Sequence, residues 1–213
     1  MLVRDIMTPN PYTVRPESDY LAAIAIMRAG KFRHLPVVNE EGQLVGLISD
    51  RDLKGAQPGQ PSPEAVTGDG VLLRVGEVMK RHVITCPPDY PIEEAARLMI
   101  KHRISSLVVV KGGRVLGILT DTDLFHQFVA MLGGGSKALR VTVQVDNRPG
   151  QFAAVAGAVA SVGGNILSIA SHPTEDTERI NLTLRVEAVP LEALTETITA
   201  IPGAEILHTW LPR

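Results

Sequence analysis

The chain of 213 residues contains a single cysteine, Cys86, so no disulfide can form within it. Aromatic residues make up 4% of the sequence and tryptophan occurs once, so any core must be built from Val, Ile, Leu, Ala and Met. Neither sign of charge prevails: 21 Lys and Arg face 23 Asp and Glu, for a net charge of −2. A nucleic-acid binder needs a basic face, so no nucleic-acid partner is expected. No apolar run approaches the roughly 20 residues of a membrane span. The opening MLVRDIMTPN has no apolar stretch of signal-peptide length. With the lone cysteine, these absences point to a cytoplasmic protein without a membrane partner. The patterns GxSxG, HExxH, CxxC and GxxxxGK[ST] are all missing, so the expectation is no enzyme, no catalytic residue and no required cofactor.

What the sequence does have is an internal repeat. At an offset of 72, Val3 meets Val75, Met7 meets Met79, Thr13 meets Thr85, Pro16 meets Pro88, Met27 meets Met99 and Leu35 meets Leu107. The turn NEEGQ (39–43) is matched by the shorter KGGR (111–114), after which the offset is 71. GLISDRDL (46–53) then falls on GILTDTDL (117–124). A one-residue gap in a turn is physically sensible, because turns absorb length changes that strands cannot.

Each repeat reads as a β-α-β-β-α unit. The helix YLAAIAIMRAG of repeat one is expected to stop at Gly30 as its C-cap. Strands follow over LPVVN and QLVGLIS, with LVVVK and RVLGILT as their counterparts. One copy would leave a sheet face bare, and two can cover each other. The expected domains are repeat one over 1–55, a flexible linker over 56–73 and repeat two over 74–132. A second linker at 133–137 contains GGGS and leads to a tail over 138–213. The tail reads strand, helix, strand, strand, helix, strand, the βαββαβ order of a ferredoxin-like sandwich.

DIMTPNPYTV, RHLPVV and GLISDRDL together resemble a CBS domain. RVGEVMKRHVITCPP, SSLVVV and GILTDTDL resemble a second, over about residues 1–130 in all. The tail's DNRPGQFAAVAGAVASVGGNILSI resembles an ACT domain. The resemblance implies an α/β (α+β) chain: a CBS pair, or Bateman module, with two clefts at the pair interface, followed by an ACT-like domain. CBS-CBS-ACT in one small chain is similar to the acetoin-utilisation AcuB-type proteins.

The two octets admit two readings. In one, Ser49 and Thr120 are helix N-caps, and Asp52 and Asp123 sit at N3, reaching back as in a capping box. That accounts for all four residues without a ligand. In the other, the helix N-terminus opens into a cleft and serves an anion. The resemblance to CBS domains with the Gly-h-h-Ser/Thr-x-x-Asp pattern (h apolar) implies that Asp52 and Asp123 accept ribose hydroxyls while Ser49 and Thr120 face phosphate. A metal site is disfavoured, because Asp50 and Asp52 lie at i, i+2 and point to different helix faces.

The resemblance also places Thr13 and Val14, with Thr85 and Cys86 as counterparts, where CBS backbones meet adenine. Arg33 and His34 fall at phosphate-facing positions, and their equivalents Ser105 and Ser106 make the clefts chemically unequal. Cys86 reads as a small apolar residue rather than a nucleophile, and His82, His102 and His126 as surface residues. In the tail, Asn147 and Asn165 match the asparagines that grip the amino acid in serine-sensing regulatory domains, with Gly150 allowing close backbone approach. Where that family has a histidine ligand this chain has Val145, and Asn147 and Asn165 can equally shape a turn and start a strand. The expected function is a non-enzymatic sensor of an adenosine-containing ligand: AMP, ADP, ATP or S-adenosylmethionine. Amino-acid sensing in the tail, a homodimer, a regulated protein partner and a link to acetoin or acetate metabolism go with it. The alternative is a dimerisation module with empty pockets, and a hydrolase using the Asp pairs ranks last.

Overall fold

The computed structural model describes residues 1–50, 52 and 73–211, so almost all of the expected linker at 56–73 lies outside the described residues. The chain divides into two compact units, Met1–Phe125 and His126–Arg213.

In the first unit the elements are α1 (Val3–Ile6), β1 (Thr8–Pro9), α2 (Tyr20–Gly30), β2 (His34–Val38) and β3 (Leu44–Ser49) from repeat one. Repeat two supplies α3 (Val75–Val78), β4 (Thr85–Cys86), α4 (Ile92–His102), β5 (Ser106–Lys111) and β6 (Arg114–Thr120). The helix α5 (Asp121–Met131) begins in this unit and ends in the second. The amphipathic spacing of α2 buries Tyr20, Ala23 and Met27, and α4 buries Ile92, Ala95 and Met99 at the matching positions. Asp19 caps α2, its carboxylate accepting the amides of Leu21 at 2.5 Å and Ala22 at 3.3 Å.

Gly30 is not the C-cap. It is the last helical residue of α2, and Lys31 takes the left-handed conformation at φ 54°, as Arg103 does after α4. In both, the amide two residues beyond the helix bonds back: Phe32 to the Met27 carbonyl at 3.2 Å and Ile104 to the Met99 carbonyl at 3.0 Å. Glycine is needed at position 30 for room, since a Cβ there would meet the Phe32 ring.

The hairpins β2–β3 and β5–β6 are antiparallel, with matching register shifts at Val37/Val38 and Val109/Val110. Their completion crosses between repeats. β1 of repeat one pairs with β6 of repeat two, Thr8 opposite Ile118. Lys80 of repeat two bridges Leu47 of β3, each amide donating to the other's carbonyl at 2.9 Å. The opening helices are exchanged as well: Val3 and Arg4 donate to the carbonyls of Tyr90 and Pro88, while Val75 and Gly76 donate to those of Ser18 and Pro16. Val75 and Met79 consequently lie in the core of repeat one, with Val14, Leu35, Val37 and Ile48. Gly46 and Gly117 are where the exchanged chains pass, because a Cβ at either would strike Met79 or Met7.

The second unit is β7 (Leu139–Asp146), α6 (Gln151–Ser161), β8 (Asn165–Pro173), β9 (Arg179–Glu187), α7 (Leu191–Thr199) and β10 (Glu205–Trp210). The antiparallel sheet runs β10-β7-β9-β8, so the βαββαβ order expected from the tail is the one found. Val141, Val143, Val145, Leu182, Leu184 and Val186 alternate inward and bury against Val155 and Val159 of α6 and Leu194 and Ile198 of α7. Opposite them on the strands is a polar ladder, with Thr142 to Thr183 at 3.1 Å and Gln144 to Asn181 at 3.2 Å.

Because Met79 fills the core of repeat one although it belongs to repeat two, Met79→Ala lowers unfolding free energy by about 2–5 kcal/mol in urea denaturation. Hydrogen exchange then speeds up in β2 and β3. Protection lost only in β5 and β6 would refute the exchanged arrangement.

Candidate functional site

The exchange opens a cavity of about 230 Å³ within the first unit. Repeat one contributes Arg33, His34, Ser49, Asp50 and Asp52, and repeat two contributes Lys80, the segment His82–Ile84 and Arg103–Ser106.

At its edge the octet forms a complete capping box. The Ser49 amide donates to Asp52 Oδ2 at 2.9 Å and the Ser49 hydroxyl donates to the same oxygen at 2.5 Å. The Asp52 amide donates back to Ser49 Oγ at 3.3 Å. Thr120 and Asp123 repeat this at 2.8, 2.7 and 3.3 Å. Each helix start is pinned to the residue ahead of the neighbouring strand, the Asp50 amide on the Arg33 carbonyl at 2.8 Å and the Asp121 amide on the Ser105 carbonyl at 3.1 Å. The caps thus use one carboxylate oxygen, and the other is directed elsewhere. In Asp52 that second oxygen, Oδ1, pairs with Lys80 Nζ at 3.3 Å.

Of the residues singled out from sequence, the cavity brings together Arg33, His34, Ser49, Asp52, Ser105 and Ser106. Thr120 and Asp123 lie at the mirror position. Thr13 is exposed and Val14 is buried in a parallel bridge to Val37, so neither lines this cavity. Thr85 lines a separate hollow with Leu44, Val45 and Arg81. Cys86 is buried, which pushes its thiol up to about 11 and leaves it inert. The cavity uses Val83 and Ile84 instead, the residues just ahead of β4, because the strand itself turns into the core. His82, His102 and His126 are all exposed, as expected, and His82 also lines the cavity. Lys80 and Arg103 are members that sequence reasoning missed. The signal for Lys80 was its position directly after Met79 in the repeat register, but its use required knowing that this segment crosses to the other repeat.

In the tail, the Asn147 side chain donates to the Thr177 carbonyl at 2.9 Å and that of Asn165 to the Glu187 carboxylate at 2.9 Å. Gly150 takes φ 91° at the start of α6. Val145 is fully buried in the tail core. Among the described residues no group of three or more His, Cys, Asp or Glu could hold a metal, and no helix is long and apolar enough to cross a membrane.

His34 sits among these charges with its ring Nε2 3.4 Å from the Ser105 hydroxyl. Burial holds its pKa below the ordinary histidine value and Arg33 and Lys80 add to this, against Asp121 and Asp52. The neutral ring is therefore the form the fold favours. Its contribution to stability is complete above 6.5 and is lost as pH falls from there through the lower folded value. In an NMR pH titration the His34 ring titrates below 6.5, and Asp121→Asn moves it lower still. Titration at or above 6.5 would show that the ring is not desolvated.

Comparison with known proteins is consistent with this geometry. The CBS domain model matches residues 3–59 and 75–130, together more than half of the chain, and the ACT domain model matches 139–203. The solved CBS domain pair of protein MJ0100, in complex with 5′-methylthioadenosine and S-adenosyl-L-methionine, is 32% identical, with a TM-score of 0.52 over 61% of this chain and 97% of that one. A Vibrio cholerae protein assigned to acetoin utilization (AcuB) is 31% identical, with a TM-score of 0.55 over 62% of this chain and 95% of its own. CBSX2, solved in complex with AMP, is 27% identical, with a TM-score of 0.53 over 61% of this chain and 96% of its own. The chain belongs to the CBS domain family, as a tandem CBS pair followed by a C-terminal ACT domain.

Proposed function

We propose that this protein is a non-enzymatic regulatory sensor that binds an adenosine-containing ligand in the clefts of its CBS pair. The observation that carries the reading is the shape of the Ser49–Asp52 box. Its cap uses Asp52 Oδ2, leaving Oδ1 to pair with Lys80, and Asp52 lines a cavity together with Arg33, His34 and Arg103. A carboxylate oxygen can accept a ribose hydroxyl, and a helix N-terminus with flanking basic groups favours phosphate. Ile84 and Ile104 in the same cavity give a flat base apolar surface. Relatives of this fold solved with AMP, 5′-methylthioadenosine and S-adenosyl-L-methionine support the choice of ligand class. The mirror cleft at Thr120 and Asp123 is the second site.

Binding becomes regulation when the ligand favours one arrangement of the chain over another. In this reading the sensor works as a cytoplasmic homodimer acting on a protein partner, and the AcuB likeness favours acetoin metabolism as its setting. For the tail, the hydrogen bonds of Asn147 and Asn165 within the unit favour a structural, dimer-building role over amino-acid sensing.

Calorimetric titration with AMP, ADP, ATP and S-adenosylmethionine tests the proposal. At least one ligand binds more tightly than about 1 mM, and Asp52→Ala or Asp123→Ala weakens its own cleft about tenfold or more, as expected for lost charge-assisted bonds of about 1.5–3 kcal/mol. No binding, or binding intact in the double variant, leaves the dimerisation module as the reading.

A further inference from the structure

We infer that Lys80 is a built-in competitor for the ribose-accepting oxygen of Asp52, and that it makes this cleft selective for phosphorylated over neutral adenosine ligands. The inference rests on the adenosine reading above and concerns which member of that class the cleft takes.

Both oxygens of the Asp52 carboxylate are engaged. Oδ2 takes both the amide and the hydroxyl of Ser49, and Oδ1 is held by Lys80 Nζ at 3.3 Å. A ribose diol arriving at Oδ1 therefore competes with an ammonium for that oxygen. Lys80 cannot retreat as a whole, because its backbone is bonded on both sides to Leu47 at 2.9 Å. Only the tip of the side chain is free to move, and that side chain is 67% exposed. The displaced ammonium would stand in a cavity that already holds Arg33 and Arg103, so like charges raise the cost of leaving it unpaired. A neutral nucleoside leaves that cost in place. A ligand carrying its own phosphate offers the ammonium a new anion, with a charge-assisted bond in place of the lost one.

The same molecule contains the control. At the structurally equivalent position, opposite Ile118 as Lys80 is opposite Leu47, the other cleft has Thr8. There Asp123 makes the same capping box, and among the described residues no cation lies on its second oxygen. The mirror cleft differs again where Ile84 and Ile104 are replaced by Tyr12 and Phe32, whose rings stack at 5.6 Å. The pseudo-symmetric pair is thereby divided into one cleft that demands an anion and one that does not.

The test uses the full-length chain carrying Asp123→Ala, so that only the Asp52 cleft is read, titrated calorimetrically with adenosine and with AMP at low salt. Lys80→Thr, which copies the mirror cleft, tightens adenosine and weakens AMP, so that the ratio of the two affinities falls about tenfold. Lys80→Arg keeps the ratio within about twofold of the starting protein, since charge is retained. An unchanged ratio in Lys80→Thr overturns the inference. So does weaker AMP binding with adenosine unaffected, which would make Lys80 a simple phosphate contact and not a competitor. If neither nucleoside nor nucleotide binds the chain with both aspartates intact, the adenosine reading itself has failed, and this inference with it; binding there that is absent from the Asp123→Ala chain overturns this inference alone.

Discussion

Val75 and Met79, although they follow repeat one by many residues, fill its core, and Val3 and Met7 do the same service for repeat two. Each repeat alone exposes a sheet edge and an apolar pocket that its own opening segment is not positioned to cover. The reciprocal crossing satisfies both at once, through backbone bonds from Val3, Arg4, Val75 and Gly76 and through the strand pairings Thr8–Ile118 and Lys80–Leu47. Burying a valine and most of a methionine is worth about 1.5–3 kcal/mol each, so the exchange ties the two repeats together. Gly46 and Gly117 follow directly, because only a residue without Cβ lets the crossing chain lie so close.

The cleft is a by-product of that crossing. Where segment 80–84 of repeat two leaves Leu47, it passes in front of the helix start that Ser49 and Asp52 cap. A capping box, normally a device of local stability, is thus placed at the mouth of a cavity with basic neighbours. The cap satisfies the helix amides and orients the carboxylate in one step. The chemistry of the cleft is then set by whichever residue the crossing segment presents. Repeat two presents lysine and repeat one presents threonine, which is how nearly identical octets come to sit in unlike surroundings.

His34 shows how closely the two halves are coupled electrically. Its ring feels Asp52 of its own repeat and Asp121 of the other, against Arg33 and Lys80, in a partly desolvated position where such interactions are weakly screened. A ligand anion arriving in the cleft would change the sum of those charges, and His34 stands where that change is felt by both repeats.

The repeat register, the element order of both units and the capping boxes were legible in the amino-acid sequence, because each depends on residues a few positions apart: a hydroxyl three residues before an aspartate, apolar residues at helical or alternating spacing, a gap confined to a turn. The element order of the tail was legible for the same reason, while the strand order of its sheet came from the structure. Gly30 was misread because its role is to make space for Phe32, a side-chain contact that composition does not reveal. Thr13, Val14, Thr85 and Cys86 were placed at the clefts by analogy; the cavity beside Asp52 is lined instead by Val83 and Ile84, while Val14 and Cys86 are buried in the core. Lys80 and Arg103 went unnoticed, as did the part His82 takes. All of these turn on which segment crosses to which repeat. Local sequence fixes helices, strands and caps because their hydrogen bonds close within a few residues. Only the tertiary structure decides which of two near-identical halves receives a borrowed lysine, because that choice is made by packing between segments some 70 residues apart.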